Sequence, residues 1–272
     1  MISPTNNKYI LSFMEKNFLA FFFIFFFSFS AFAQQDKKLI LLQTSDVHSR
    51  LEPINQEGDR NYDKGGFVRR ATFVKEFRKE HPDMLLFDCG DISQGTPYYN
   101  MFQGEVEVKM MNEMKYDAMT IGNHEFDYRS KGLAKMLETA AESGDTVPEL
   151  LVCNINWDAM EQQGFSEGQQ QIRDAFTEYG VKDYVMVQKG DVRVALLGVF
   201  GKDALACAPT CELQFTDPVE AVKKTVAEIK KNEDADIIVC LSHSGTSEDE
   251  SKSEDEILAK KVPDLDVIIS GH

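Results

Sequence analysis

Buried-strand runs alternate with helix-like stretches through residues 38–272, and most of these runs end in a cluster of polar residues. KLILLQTS (38–45), MLLFDCG (84–90), DAMTIG (117–122), LLVCNI (150–155), DIIVCLS (236–242) and DVIIS (266–270) have the apolar character of strands covered on both faces. Helical spacing marks GGFVRRATFVKEFRKE (65–80), VEVKMMNEM (106–114), KGLAKMLETAAE (131–142) and DPVEAVKKTVAEIKK (217–231). Phe67, Ala71, Val74 and Phe77 share one side of the first, and Pro218 suits the first turn of the last. YVMVQKGDVRVALLGVF (184–200) reads as a hairpin turning at Lys189-Gly190-Asp191. This alternation predicts an α/β fold with largely buried sheets, to which the hairpin adds antiparallel character. The charge run SEDESKSEDE (247–256) is expected to be a solvated loop leading into a helix.

The first 33 residues have a different grammar. Lys8 and Lys16 precede residues 18–27, which contain no polar side chain, and Ala31-Phe32-Ala33 fits a small-x-small cleavage site. That is the pattern of a secretory signal peptide, and the run is shorter than the ~20 apolar residues of a spanning helix. No Cys follows the site to anchor a lipoprotein. The expected organisation is a signal peptide over 1–33 and one domain over 34–272. This implies a periplasmic or secreted protein with no stable membrane insertion after cleavage.

The net charge of -16 argues against sequence-independent nucleic-acid binding, which depends on Lys and Arg at phosphates. A chain this acidic that handles anions needs imported positive charge, and metal ions are the obvious source. Cys89, Cys153 and Cys240 lie in apolar runs and read as buried small hydrophobes. Cys207 and Cys211 lie in an expected loop, where an oxidising compartment would allow a small disulfide. No second Cys or His pair accompanies them to complete a zinc knuckle.

The strand ends carry the chemistry. Five of the six apolar runs, all but LLVCNI, lead to Asp46 and His48, to Asp91, to Asn123 and His124, to His243 and to His272. In α/β sheets ligands gather beyond the carboxyl ends of strands. Four of the five His occupy such positions; His81 alone does not. Asp46 and His48 are two apart, so an extended backbone would point both to one side. A carboxylate and an imidazole there suit a divalent ion of the Mn, Fe or Zn kind. Asp91 follows Gly90 and can offer two oxygens to two metals, while Asn123 offers a neutral carbonyl oxygen. Taken singly, each has an ordinary explanation. Asp46 could cap a helix, Asp91 could bond turn amides, and Asn123 could hold a left-handed turn. Together and in this order they point to a metal centre.

DVH (46–48), GDISQG (90–95), GNHEFD (122–127), SH (242–243) and GH (271–272) together resemble the calcineurin-like metallophosphoesterases. GDxxQG, GNHEFD, and Gly65-Gly66 followed by Arg69-Arg70 look most like the secreted 5'-nucleotidase branch, which includes 2',3'-cyclic-nucleotide phosphodiesterases. The resemblance spans residues 38–272. It implies a sandwich of two mixed β-sheets flanked by helices, and a site for two divalent metal ions (Mn, Zn, Fe, Co or Mg). Asp46 and His48 would bind metal one, Asp91 would bridge, and Asn123, His243 and His272 would bind metal two. His124 would face the substrate phosphate and Asp127 would orient it; Glu125 is expected to be structural.

The implied activity is hydrolysis of nucleotide phosphate esters by a metal-activated hydroxide. Two departures leave alternatives open. The family motif continues past GH to a further metal-one ligand, whereas this sequence ends at His272. Many 5'-nucleotidases also carry a C-terminal domain that grips base and ribose, which a separate polypeptide could supply here. The alternatives are a phosphoesterase acting on non-nucleotide esters, and a non-catalytic truncated subunit that binds a partner.

Overall fold

In the computed structural model, which describes residues 36–144 and 146–272, the apolar runs become two four-stranded sheets. The expected signal peptide over 1–33 lies outside the described residues. The first sheet has the order β1 (Leu41–Thr44), β2 (Leu85–Asp88), β3 (Ala118–Met119) and β4 (Glu149–Leu150), all parallel. The second runs β5 (Tyr184–Lys189), β6 (Val192–Phe200), β7 (Ile237–His243) and β8 (Val267–Gly271). There β5 pairs antiparallel with β6, and the remaining neighbours are parallel.

Parallel neighbours need crossover connections, which helices supply. α1 (Phe67–Glu80) joins β1 to β2, and α2 (Pro97–Phe102) with α3 (Glu105–Met114) leads to β3. α4 (Arg129–Glu142) precedes β4, and α5 (Trp157–Gln163) and α6 (Glu167–Tyr179) precede β5. In the second sheet α7 (Lys202–Ala206) and α8 (Pro218–Asn232) connect β6 to β7, and α9 (Glu254–Lys261) connects β7 to β8. Residues 38–272 form one compact unit.

The period-two alternation of strand side chains explains the layers. Leu85 and Phe87 of β2 pack against Val194, Leu196, Val239 and Leu241, which forms the core between the sheets. Leu86, on the opposite face of β2, packs in the cluster that holds Val74 of α1, Met111 of α3 and Leu137 of α4. In β6, Ala195, Leu197 and Val199 turn outward onto Val222, Val226 and Ile229 of α8. Strands buried on both faces cannot show an apolar–polar alternation, hence the continuous runs in the sequence.

The expected face of α1 packs as anticipated, with Val74 buried and Phe67, Ala71 and Phe77 partly buried against the same cluster. The hairpin turns through Gly190, whose φ of +56° lies in the region that favours glycine. Two expected strands, at 117–122 and 150–155, shrink to two residues each. Beyond Met119 and Leu150 the chain leaves the ladder for loops, with Thr120 Oγ1 donating to the Leu151 carbonyl at 2.9 Å. α6 opens with a capping box between Ser166 and Gln169, a legible signal in SEGQ.

The charge run at 247–256 is an exposed loop leading into α9, as expected, except that Ser253 and Asp255 within it are buried. All five cysteines are free, with Cys207 exposed and Cys211 half-buried, so no disulfide joins that pair. Among the described residues no helix is long and apolar enough to cross a membrane.

Candidate metal centre

The loops that follow β1 and β2 are laced together by backbone hydrogen bonds. Asp46 N–H donates to Gly90 O at 3.0 Å, His48 N–H to Asp91 O at 3.0 Å, and Ser49 N–H to Ile92 O at 2.8 Å. This lacing requires positive φ at Asp46 (52°), His48 (44°) and Asp91 (57°). The extended backbone expected across 46–48 is therefore not found. The chain turns left-handed there to satisfy its amides on the neighbouring loop, and such strain clusters at functional sites. Gly90 is required as well: its φ is +92°, and a Cβ would lie 2.6 Å from Gly122 N and 2.7 Å from His243 Nδ1.

Glu125, expected to be structural, has a specific task. It is 4% exposed, and its carboxylate accepts the backbone N–H groups of Asp91 (2.9 Å), Gly122 (2.6 Å) and Ser93 (3.1 Å). One buried side chain thus ties the loop after β2 to the loop after β3. Burial, with the charge of Asp91 adding to it, pushes its carboxyl above the ordinary range.

Among the described residues, donor atoms come within 4.8 Å of one another in His48–Asp91–His124, in Asp91–His243–His272 and in Asp203–Cys207–His272. Asp91 belongs to the first two. Its Oδ1 accepts His124 N–H at 2.8 Å, and its Oδ2 lies 3.3 Å from His243 Nε2. Asn123 Oδ1 sits 3.2 Å from the same Nε2. Asp46 belongs to none of these groups. Its carboxylate accepts from the Ser45 hydroxyl and from His272 N–H, the latter at 3.1 Å.

The donor set fits a cation. His243 is fully buried, and its Nδ1 lies 2.6 Å from the Cys89 carbonyl, which can only accept. Nδ1 therefore carries a proton, and Nε2 faces two further acceptors, Asp91 Oδ2 and Asn123 Oδ1. Two oxygen acceptors converging on Nε2 in a buried space call for positive charge there, which a proton on Nε2 or a bound cation supplies. Burial opposes a charged imidazole, but the hydrogen bond and charge of Asp91 outweigh it, so the His243 pKa is raised. Asp91 moves the opposite way: burial would raise its carboxyl, yet His243 and His124 hold it below the usual range.

His48 repeats the pattern, with Nδ1 3.3 Å from Ser93 O. His124 Nδ1 lies 3.1 Å from both carboxylate oxygens of Asp127, and its ring stands edge-on to His48 at 5.2 Å between centroids. His272 Nε2 lies 3.2 Å from Asp203 Oδ2. Asp203 does not figure among the sequence candidates because β6 reads as part of a hairpin. The strand-mouth rule, applied to the end of β6, points to it.

The Calcineurin-like phosphoesterase family profile matches residues 39–272. The chain is 34% identical over 244 residues to the snake venom 5'-nucleotidase of Crotalus adamanteus, covering 86% of this chain and 37% of that protein. It is 30% identical over 252 residues to the trifunctional nucleotide phosphoesterase protein YfkN of Bacillus subtilis, covering 86% of this chain and 16% of that one. Among solved structures, the 5'-nucleotidase precursor from Thermus thermophilus superposes with a TM-score of 0.67 at 29% identity, over 86% of this chain and 41% of that one. The chain thus spans well under half the length of these relatives. Profile, relatives and two-sheet architecture agree: the chain belongs to the calcineurin-like phosphoesterase family.

Proposed function

We propose that this chain is the catalytic part of an exported, metal-dependent phosphoesterase that hydrolyses nucleotide phosphate esters, as a 5'-nucleotidase does. The observation that carries the proposal is the convergence of His243 Nε2, Asp91 Oδ2 and Asn123 Oδ1 beside His124. Asp46, His48 and Asp91 would hold one divalent ion, and Asp91, Asn123, His243 and His272 a second. Such ions, drawn from Mn, Zn, Fe, Co or Mg, supply positive charge for phosphoryl oxygens and the acidity that makes hydroxide available near neutral pH.

The chain's own residues do the positioning. The backbone carbonyls of Cys89 and Ser93 hold Nδ1 of His243 and His48, which fixes each ring and leaves Nε2 for the site. Glu125 holds the backbone of Asp91, so the shared carboxylate is set before substrate arrives. With Nδ1 donating to Asp127, His124 keeps Nε2 for the phosphate. There it would stabilise the developing charge or protonate the leaving oxygen.

The nucleotide part of the proposal draws on the names of the relatives, of which this chain covers a minor share. The part that grips base and ribose would come from outside residues 38–272, on a further domain or a separate polypeptide. Export is supported by the leader pattern in residues 1–33 and by the venom source of one relative.

The test is phosphate release from AMP by the purified chain with Mn²⁺, with and without a chelator, and with a simple sugar phosphate as competitor. Chelator-sensitive release that prefers AMP is expected. Equal turnover of the sugar phosphate would move the substrate class away from nucleotides. No release from any ester with any of the named metals would end the catalytic reading.

A further inference from the structure

His243 and His272 come from the ends of two adjacent strands, and something must set their spacing. β7 and β8 are parallel and paired through His243 and Gly271. The first turn of α9 reaches back to both strand ends. Asp255 is 4% exposed; its Oδ1 accepts the Ser242 hydroxyl at 2.6 Å, and its Oδ2 accepts the Ser270 hydroxyl. Ser242 immediately precedes His243, and Ser270 lies two residues before His272. The N–H of Asp255 donates to Gly245 O at 3.1 Å, on the loop that leaves β7.

The preceding residue acts on the same histidines by another route. The two carboxylate oxygens of Glu254 accept Lys202 N–H at 2.8 Å and Asp203 N–H at 2.9 Å, which caps α7. Gly201, just before α7, donates its N–H to His243 O at 2.9 Å. Asp203 in turn reaches His272 Nε2 at 3.2 Å. Acids in the first turn of a helix ordinarily need no explanation beyond the helix dipole. That account leaves them solvated, whereas Asp255 is buried between hydroxyls of two different strands.

We infer that Glu254 and Asp255 form a positioning pair that sets the relative placement of His243 and His272. Asp255 fixes the two strand ends through Ser242 and Ser270, and Glu254 fixes Asp203 against the His272 ring. The inference rests on the reading of those two histidines as ligands of one metal. The pair touches neither substrate nor metal and works only through its neighbours.

Three variants and two readouts test it. Asp255→Ala removes both hydroxyl acceptors. Asp255→Asn keeps one oxygen acceptor, and its amide can donate to the second serine, whose hydroxyl rotates. Asp266→Ala is the control: its carboxylate accepts Ile238 N–H at 2.8 Å and braces the same two strands at their far end. The readouts are Mn²⁺ affinity by titration and the imidazole NMR signals of the metal-free protein, assigned with His243→Ala and His272→Ala. Asp255→Ala should weaken Mn²⁺ binding by roughly 10–100-fold, the usual effect of outer-sphere partners. It should also displace the His243 and His272 signals, while Asp255→Asn retains most of both and Asp266→Ala leaves them unmoved. Should Asp255→Ala prove too unstable, Ser270→Ala reads the same contact.

If Asp255→Ala or Ser270→Ala leaves the imidazole signals unchanged, or moves them no more than Asp266→Ala does, the residue braces the strands only and the inference is overturned. Displaced signals in a chain that binds no Mn²⁺ would uphold the positioning and refute the metal reading.

Discussion

Nδ1 of His243 lies 2.6 Å from the carbonyl oxygen of Cys89, so the ring holds its proton on that side and turns Nε2 toward Asp91 and Asn123. On the proposed reading, Nε2 is then the nitrogen that would face a metal ion. His243→Ala should therefore lower bound metal by at least one ion per chain and reduce AMP hydrolysis by more than tenfold. Elemental analysis of the purified variant, with its activity, checks this. Full metal content in the variant would remove His243 from the ligand set.

His124 has a different part to play. Its Nδ1 is held by Asp127 at 3.1 Å, although its ring also comes within reach of donors on His48 and Asp91. His124→Ala should reduce turnover by roughly 10²–10⁴-fold, the range for a general acid–base group, with metal content intact. Asp127→Asn should cost less, since it removes only the orienting carboxylate. Metal loss in His124→Ala would make that residue a ligand and overturn the assignment.

Glu125→Ala would orphan three backbone N–H groups, those of Asp91, Ser93 and Gly122. Each buried donor left without a partner costs about 1–3 kcal/mol. Denaturant unfolding of the metal-free variant should show a loss of several kcal/mol, offset in part wherever water enters. A midpoint equal to wild type would mean that the loops hold each other without this carboxylate.

Asp88 gives the metal-free protein a pH dependence of its own. Burial pushes its carboxyl up to about 7 from an ordinary 3.8, against the lowering effect of the Thr44 hydroxyl and Gly90 N–H. Between those values the folded state holds a proton that the unfolded chain has released. Stability from this group is therefore complete below about pH 4, falls as the pH rises toward 7, and is level above that. The slope is at most roughly 1.4 kcal/mol per pH unit. Asp88→Asn should flatten it, as thermal unfolding of wild type and variant at pH 5 and pH 8 would show. Parallel profiles for the two proteins would contradict the assignment.

Much of this protein can be read directly from its residues. A strand buried on both faces must be apolar throughout, so β2, β6 and β7 stand out as continuous runs. Histidines, acids and an amide gathered at the ends of such runs are not accounted for by packing when taken together, which singles out Asp46, His48, Asp91, Asn123, His124, His243 and His272. α6 is legible too, in its capping box, although no apolar run announces it.

The tertiary structure decided what those residues do to one another. Left-handed backbone at Asp46 and His48 arises from pairing with the loop after β2, and periodicity along one strand carries no trace of that. Cys89 and His243 are separated by 154 positions, yet their contact determines which nitrogen faces the site. Asp255 sits in a run of charges whose composition reads as solvated, and only the closure of β7 against β8 buries it between Ser242 and Ser270. Residue type and local spacing determine which groups can bind or ionise; burial and the choice of partner arise only when distant segments pack together.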